Sequence, residues 1–366
     1  MVCVLMHSLK ASRLEVYQPM RAVTIQPRVA NSAALRNVAE PDPAEGSVLV
    51  ETIALGVCGT DIEIVRGEYG WAPDGEDHLV LGHESLGRVL EAPAASGFQT
   101  GDLVVGIVRR PDPVPCPNCA VGEWDMCRNG LYTEHGIKQL HGFGRERFRS
   151  DPERLVRIDQ ALGDLGVLLE PASVLAKAWE HIERIGQRSR FQPQRVLVTG
   201  AGPIGLLAAL MARQRGYEVD VLDQVVDGPK PGLVRDLGAT YCSSGIDDIR
   251  ELADVALECT GVPTLVFDVM HHTTPNGIVC LTGVSSGGRE ISVDMGSLNR
   301  SMVLENDVVF GTVNANRRHY EAAADALAKA DPTWLARLIT RRVSLDDWAS
   351  ALERQPGDVK TVISFK

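Results

Sequence analysis

The stretch Arg195-Val196-Leu197-Val198-Thr199-Gly200-Ala201-Gly202-Pro203-Ile204-Gly205 passes from a continuous apolar run straight into a glycine-spaced turn. The run reads as a buried parallel strand, and Leu206 to Arg215 is helical in composition. Strand, glycine turn and helix in that order form a pyrophosphate cradle. The glycines permit the tight turn and the close approach of backbone to ligand, and the helix N-terminus favours negative charge. Gly200, Gly202, Pro203, Ile204 and Gly205 are therefore candidate cofactor-binding residues.

Further along, the strand Tyr217 to Leu222 ends in Asp223, eighteen residues after Gly205. A carboxylate there accepts hydrogen bonds from adenosine ribose hydroxyls and repels a 2′-phosphate, so NAD is expected over NADP. Gln224 beside it can soften that preference, and NADP stays open. Two more apolar strands, Asp254 to Gly261 and Gly277 to Gly283, end in glycine. Their loops would line the same crevice, which adds Thr260, Gly261 and Val284 to the cofactor candidates.

Towards the N-terminus the texture changes to short strands separated by Gly and Pro, from Met20 to about Phe148. Many short β elements with frequent turns suggest a compact β barrel. Its loops carry a second constellation. Gly56-Val57-Cys58-Gly59-Thr60-Asp61 and Leu81-Gly82-His83-Glu84 offer a thiol, an imidazole and carboxylates within one short span. Zn²⁺ takes those donors, and a catalytic site leaves one position open. Buried alone, Cys58 or His83 would read as core; together, in glycine-marked turns, they read as ligands.

Cys116 and Cys119 have two residues between them in their loop, and Cys127 follows eight positions after Cys119. That spacing suits a structural zinc, with Asp112, Glu123, Asp125 or His135 as candidates for a fourth ligand. Glu170 opens a helical stretch, Leu168 to Ile185, where a carboxylate is either a helix-start acid or a group aimed at metal or substrate.

The chain has 366 residues, enough for two cores, with a net charge of −11 and a pI near 5.4. Its longest basic clusters are pairs such as Arg109-Arg110 and Arg317-Arg318, which argues against nucleic acid and anionic membranes as partners. No apolar run approaches the roughly 20 residues of a membrane helix. Eight scattered or clustered cysteines fit a reducing, cytoplasmic compartment. Residues 1–19 read as an appended extension, with Met20 as a candidate start and Met20 to Ile25 as the first strand.

Taken in order, these motifs resemble the zinc-dependent medium-chain alcohol dehydrogenases. Within them the chain is most similar to the microbial glucose 1-dehydrogenases, through Thr60-Asp61-Ile62-Glu63-Ile64-Val65, Val108-Arg109-Arg110-Pro111, Thr133-Glu134-His135-Gly136-Ile137, His141-Gly142-Phe143 and Val313-Asn314. The resemblance implies an α/β fold: a GroES-like β-barrel catalytic domain (20–185 and 310–366) plus a doubly wound parallel-sheet Rossmann domain (186–309). It implies catalytic zinc on Cys58, His83 and Glu84 with Glu170 reaching the metal or the sugar, Thr60 as proton relay, and Glu134, Glu170 and Asn314 on sugar hydroxyls. It also implies a homodimer or homotetramer.

Three departures stand out. Asp112-Pro113 replaces the first cysteine of the lobe, Asp223-Gln224-Val225 stands where an Asn-Arg-Arg phosphate clamp is often found, and Val108 replaces an Asn before the arginine pair. The expected activity is oxidation of an aldose, D-glucose first, at C1 to the lactone, with hydride passing to NAD. The alternatives are another polyol or amino-cyclitol dehydrogenase, or a non-catalytic nucleotide-binding protein, against which the full set Cys58, Thr60, His83 and Glu84 counts.

Overall fold

The computed structural model describes residues 19–365 apart from Ser286 and Arg289. The expected extension 1–19, with Cys3, therefore lies outside the described residues save for Pro19. Met20 is fully buried and begins the strand Met20–Ile25, which pairs with Ala34–Val38 and with Leu79–Val80.

The α/β expectation is met by two principal sheets. One is parallel throughout, in the order Thr240–Cys242, Glu218–Leu222, Arg195–Thr199, Ala253–Glu258, Thr273–Leu281, Val308–Gly311. Numbered by appearance this is 3-2-1-4-5-6, so the order reverses between Arg195–Thr199 and Ala253–Glu258, and ligands bind at such switch points. Val196, Val198, Val255 and Leu257 are fully buried because helices cover both faces. The sheet extends through Phe310 and Gly311, which pair with Cys280 and Leu281, two residues beyond the expected boundary at 309.

The other sheet has seven strands. Val48–Val57 is at its centre, flanked by Glu84–Glu91 and, antiparallel, by the C-terminal strand Lys360–Ser364. This pairing returns the C-terminal strand to the middle of the sheet and sets Thr361 opposite Val57.

Helix Leu169–Gly186 connects the sheets. It packs against helices Pro203–Gln214 and Arg317–Ala328 and reaches the strand Glu84–Glu91. Fully buried Trp179 and Ile182 share one apolar core with Leu86 from the seven-stranded sheet and Val196 from the parallel one. No helix among the described residues is long and apolar enough to cross a membrane.

Candidate active site and cofactor crevice

Strand ends supply the metal donors. Val48–Val57 stops at Cys58, which caps helix Gly59–Val65: Thr60 N–H donates to Cys58 Sγ at 3.2 Å, and Asp61 Oδ2 accepts from Cys58 N–H at 2.9 Å. Across the sheet, His83 precedes strand Glu84–Glu91, in register with the end of Val48–Val57. His83 Nε2 lies 3.0 Å from Cys58 Sγ, and Nδ1 lies 3.4 Å from Asp61 Oδ1. Asp61 thus orients the ring from behind while Nε2 faces the thiol. Burial opposes a charge on His83, but Cys58 and Asp61 outweigh it and raise its pKa well above the usual range.

His83, Glu84 and Glu170 also converge, with ligand atoms within 4.8 Å of one another. Burial pushes Glu170 up to about 7, with Glu84 adding and His83 opposing. Glu84 is ion-paired with fully buried Lys360, which also donates to Val57 O at 3.0 Å. Burial works against the Lys360 charge, yet Glu84 and Cys58 hold its pKa raised. The sequence reading missed Lys360; its signal is a charge at the head of the apolar run Thr361 to Phe365. Gly56 is needed here, because a Cβ would come 2.1 Å from Glu84 Oε2. The two donor groups, Cys58 with Asp61 and His83 and His83 with Glu84 and Glu170, share the imidazole, and a thiol, an imidazole and carboxylates are donor types that fit zinc.

The hydroxyl-binding candidates meet as well. Asn314 Nδ2 donates to Glu134 Oε1 at 2.7 Å, and the same oxygen accepts from Arg109 Nε at 3.0 Å. Arg109 stacks over the Tyr132 ring, 3.6 Å from its centroid. Gly136 and Gly142 lie flat on the backbone of Gly82, where a Cβ on Gly136 would fall 2.5 Å from Gly82 O. Glu134, in the strand Thr133–His135, and His83 thereby belong to adjoining segments in direct contact. Thr60 is half-buried beside Cys58.

The three lobe thiols, Cys116, Cys119 and Cys127, are within 4.8 Å of one another, and among the described residues no fourth donor joins them. The backbone N–H of Arg128, then that of Cys119, lower the Cys116 pKa to about 6, and it is the thiolate form that binds metal. The candidate fourth ligands are held elsewhere. Asp125 pairs with Lys177, Glu123 faces Arg318 at 3.8 Å, and His135 Nδ1 bonds the His141 carbonyl at 2.6 Å. Asp112 is buried, accepting from Val114 N–H at 2.8 Å and from the Asn129 amide.

In the crevice, Gly200 has φ +89° and Gly205 packs on it: a Cβ at 205 would meet Gly200 O at 1.7 Å. Gly202 caps helix Pro203–Gln214, and a Cβ there would meet nothing within 4 Å. Asp223 Oδ2 accepts from Ala201 N–H at 2.7 Å and from Lys230 Nζ at 2.8 Å; Oδ1 accepts from Val225 N–H at 2.9 Å. Burial opposes the Asp223 charge, but Lys230 and these amides keep its pKa low. Gln224 is exposed. Gly261, at φ +65°, lies against the Val284 carbonyl. Fully buried Glu258 binds this loop from below, accepting from Thr260 N–H at 2.8 Å and Thr199 Oγ1 at 3.2 Å. Neither Lys230 nor Glu258 is evident from sequence pattern.

Comparison with known proteins agrees with this geometry. Residues 163–365 match the family "Glucose dehydrogenase C-terminus", and residues 44–160 match "Alcohol dehydrogenase GroES-like domain". Glucose 1-dehydrogenase 2 of Vulcanisaeta moutnovskia is 39% identical over 352 residues, 94% of this chain and 99% of its own. Glucose 1-dehydrogenase of Methanocella arvoryzae is 40% identical, with 94% of this chain and 99% of the relative covered. The solved structure of Haloferax mediterranei glucose dehydrogenase in complex with NADP, Zn and gluconolactone superposes with a TM-score of 0.88 at 34% identity, covering 95% of this chain and 99% of that one. Family match, relatives and fold agree that the chain belongs to the glucose dehydrogenase family of the zinc-dependent medium-chain alcohol dehydrogenases.

Proposed function

We propose that the protein oxidises the C1 hydroxyl of an aldose, D-glucose first, to the lactone and passes the hydride to NAD in preference to NADP. The contact of Gly136 on Gly82 carries this reading, because it joins the Glu134–Asn314 pair to the His83–Glu84 donors. Cys58 and His83, with Glu84 and Glu170, would hold zinc, which when bound supplies a Lewis acid for the C1 oxygen. Glu134, Asn314 and Glu170 would hold the remaining hydroxyls, and a site built to satisfy hydroxyls rejects substrates lacking them. Thr60 Oγ1 would take the C1 hydroxyl proton outward. The C1–H bonding pair leaves as hydride for the nicotinamide while the C1–O double bond forms, giving lactone, NADH and a proton.

Asp223 supports NAD, since its carboxylate is held at the glycine turn by Ala201 N–H and a charge there would repel a 2′-phosphate. The three lobe thiols would hold a second zinc. A homodimer or homotetramer is supported by the one-sided strand Val308–Gly311 at the edge of the parallel sheet and by exposed Val303 and Leu304 on the neighbouring helix Met295–Glu305. Free thiols among the described cysteines support the cytoplasm.

The test is NADH formation by the zinc-loaded protein across aldoses and polyols, with NADP in parallel. Turnover with D-glucose supports the reading; silence on every aldose with turnover of a polyol or amino-cyclitol replaces it. Light scattering reads the subunit count in the same preparation.

A further inference from the structure

Asp125 belongs to the cysteine lobe, in the short helix Trp124–Met126 ahead of Cys127, and Lys177 to the middle of helix Leu169–Gly186. They form an ion pair at 3.0 Å, with side chains 0% and 2% exposed respectively. Neither has a part in the chemistry above. A buried ammonium persists only when its charge and its N–H groups find partners: Lys177 donates to Asp125 O at 3.3 Å and Val313 O at 3.2 Å beside its ion pair with Asp125 Oδ2.

The other bonds of Asp125 run to the hydroxyl-binding cluster. Its backbone oxygen accepts from Arg109 Nη1 at 3.3 Å, and Oδ1 accepts from Asn316 Nδ2 at 3.0 Å. Asn316 Nδ2 also donates to Gly122 O at 2.7 Å. Arg109 holds Glu134, while Val313 and Asn316 flank Asn314. Both partners of the Glu134–Asn314 contact are therefore held from behind through a single residue. Asn314 has φ +65°, a left-handed conformation that lasts only where its surroundings impose it.

We propose that Asp125 and Lys177 are positioning residues for sugar recognition, fixing Asn314 against Glu134 through Val313 and Asn316 on one side and Arg109 on the other. The substrate in this statement rests on the aldose reading; the mechanical part does not. The cysteine lobe thereby acts on hydroxyl discrimination without touching the sugar.

Lys177→Met alone strands a buried carboxylate and can unfold the chain, so the test uses the charge-neutral double variant Asp125→Asn/Lys177→Met and the milder Asp125→Asn. Each is assayed with D-glucose, 2-deoxy-D-glucose and 3-deoxy-D-glucose, alongside the KM for NAD and zinc content. The expected result is a rise in the D-glucose KM of about tenfold or more and a collapsed preference over at least one deoxy sugar. The kcat, the NAD KM and zinc content should stay within about twofold. Equal losses on all sugars, or unchanged KM and preference in both variants, overturn the proposal. Hydrogen exchange across residues 312–317 is read on the same proteins: faster exchange in the double variant supports the tether, and unchanged exchange overturns it. This second readout decides the matter even if the wild type turns over no aldose, a result that would sink only the aldose reading.

Discussion

Asn314 Nδ2 donates to Glu134 Oε1 at 2.7 Å across 180 positions of the chain, and Asn314 does so from a left-handed backbone at φ +65°. The amide and the backbone can be separated by mutation. Asn314→Gly removes the amide and suits the backbone, so it should raise the KM for D-glucose by about tenfold or more with little change in Tm. Asn314→Ala should add a loss of about 1 kcal/mol, from a Cβ forced into that region. Steady-state kinetics and thermal melts on the pair check both. Equal Tm values would mean that the backbone at 314 relaxes freely.

Cys58→Ser replaces a soft donor by a poor one beside His83. Zinc content should fall and turnover drop by about 100-fold or more, while NAD binding by fluorescence stays within about twofold. A variant active at full rate would remove Cys58 from the ligand set.

At Asp223, three donors converge on one carboxylate, and one of them is Lys230. Asp223→Ser removes the charge that opposes a 2′-phosphate and frees the lysine. The ratio of kcat/KM for NADP over NAD should rise by about tenfold, on the order of 1.4 kcal/mol. An unchanged ratio would mean that another residue reads the ribose.

The pH dependence of stability has a marked source in His319. Its Nδ1 accepts from Asn316 N–H at 2.9 Å, which favours the neutral ring, while Glu180, 3.1 Å from Nε2, works the other way. Burial, then Arg318, lower its pKa from 6.5 to about 4. Between those values the unfolded chain binds the extra proton, so stability rises with pH through that window and falls as pH drops from 6.5 towards 4. The contribution is on the order of 2–3 kcal/mol. Urea titrations at several pH values should give a shallower slope for His319→Gln; parallel slopes would assign the acid sensitivity elsewhere.

Gly56→Ala probes the buried Glu84–Lys360 pair. A Cβ would approach Glu84 Oε2 to 2.1 Å and Lys360 Cε to 3.0 Å, so both must shift. A loss of about 2 kcal/mol is expected, together with reduced zinc content. A stable variant with full zinc would show that Glu84 can turn away without loosening the metal donors.

Much of this could be read locally. The strand Arg195–Thr199, its glycine turn and the helix after it lie within twenty residues, so apolar continuity and glycine spacing were enough to reveal them. Cys58 and His83 were legible for the same reason, each in a short glycine-marked turn. The groups that were not legible meet across long stretches of chain. Lys360 reaches Val57 across 303 positions, and Lys177 reaches Val313 across 136. No periodicity encodes such contacts; they follow from the register of the last strand and the docking of one helix. Asp125 was open to reading as a metal ligand because it sits among cysteines, whereas burial against Lys177 commits its carboxylate to another partner.

Helix Leu169–Gly186 carries Glu170 in its first turn, Lys177 two turns on and Glu180 three residues later, where Glu180 accepts from Arg318 Nε at 3.0 Å. Spacings of seven and three put all of them on one side of a cylinder with 3.6 residues per turn. A single-residue insertion or deletion between Glu170 and Lys177 would rotate one relative to the other by about 100°. The segment should thus tolerate almost no change of length, and length variation among descendants of this chain should accumulate in its surface loops.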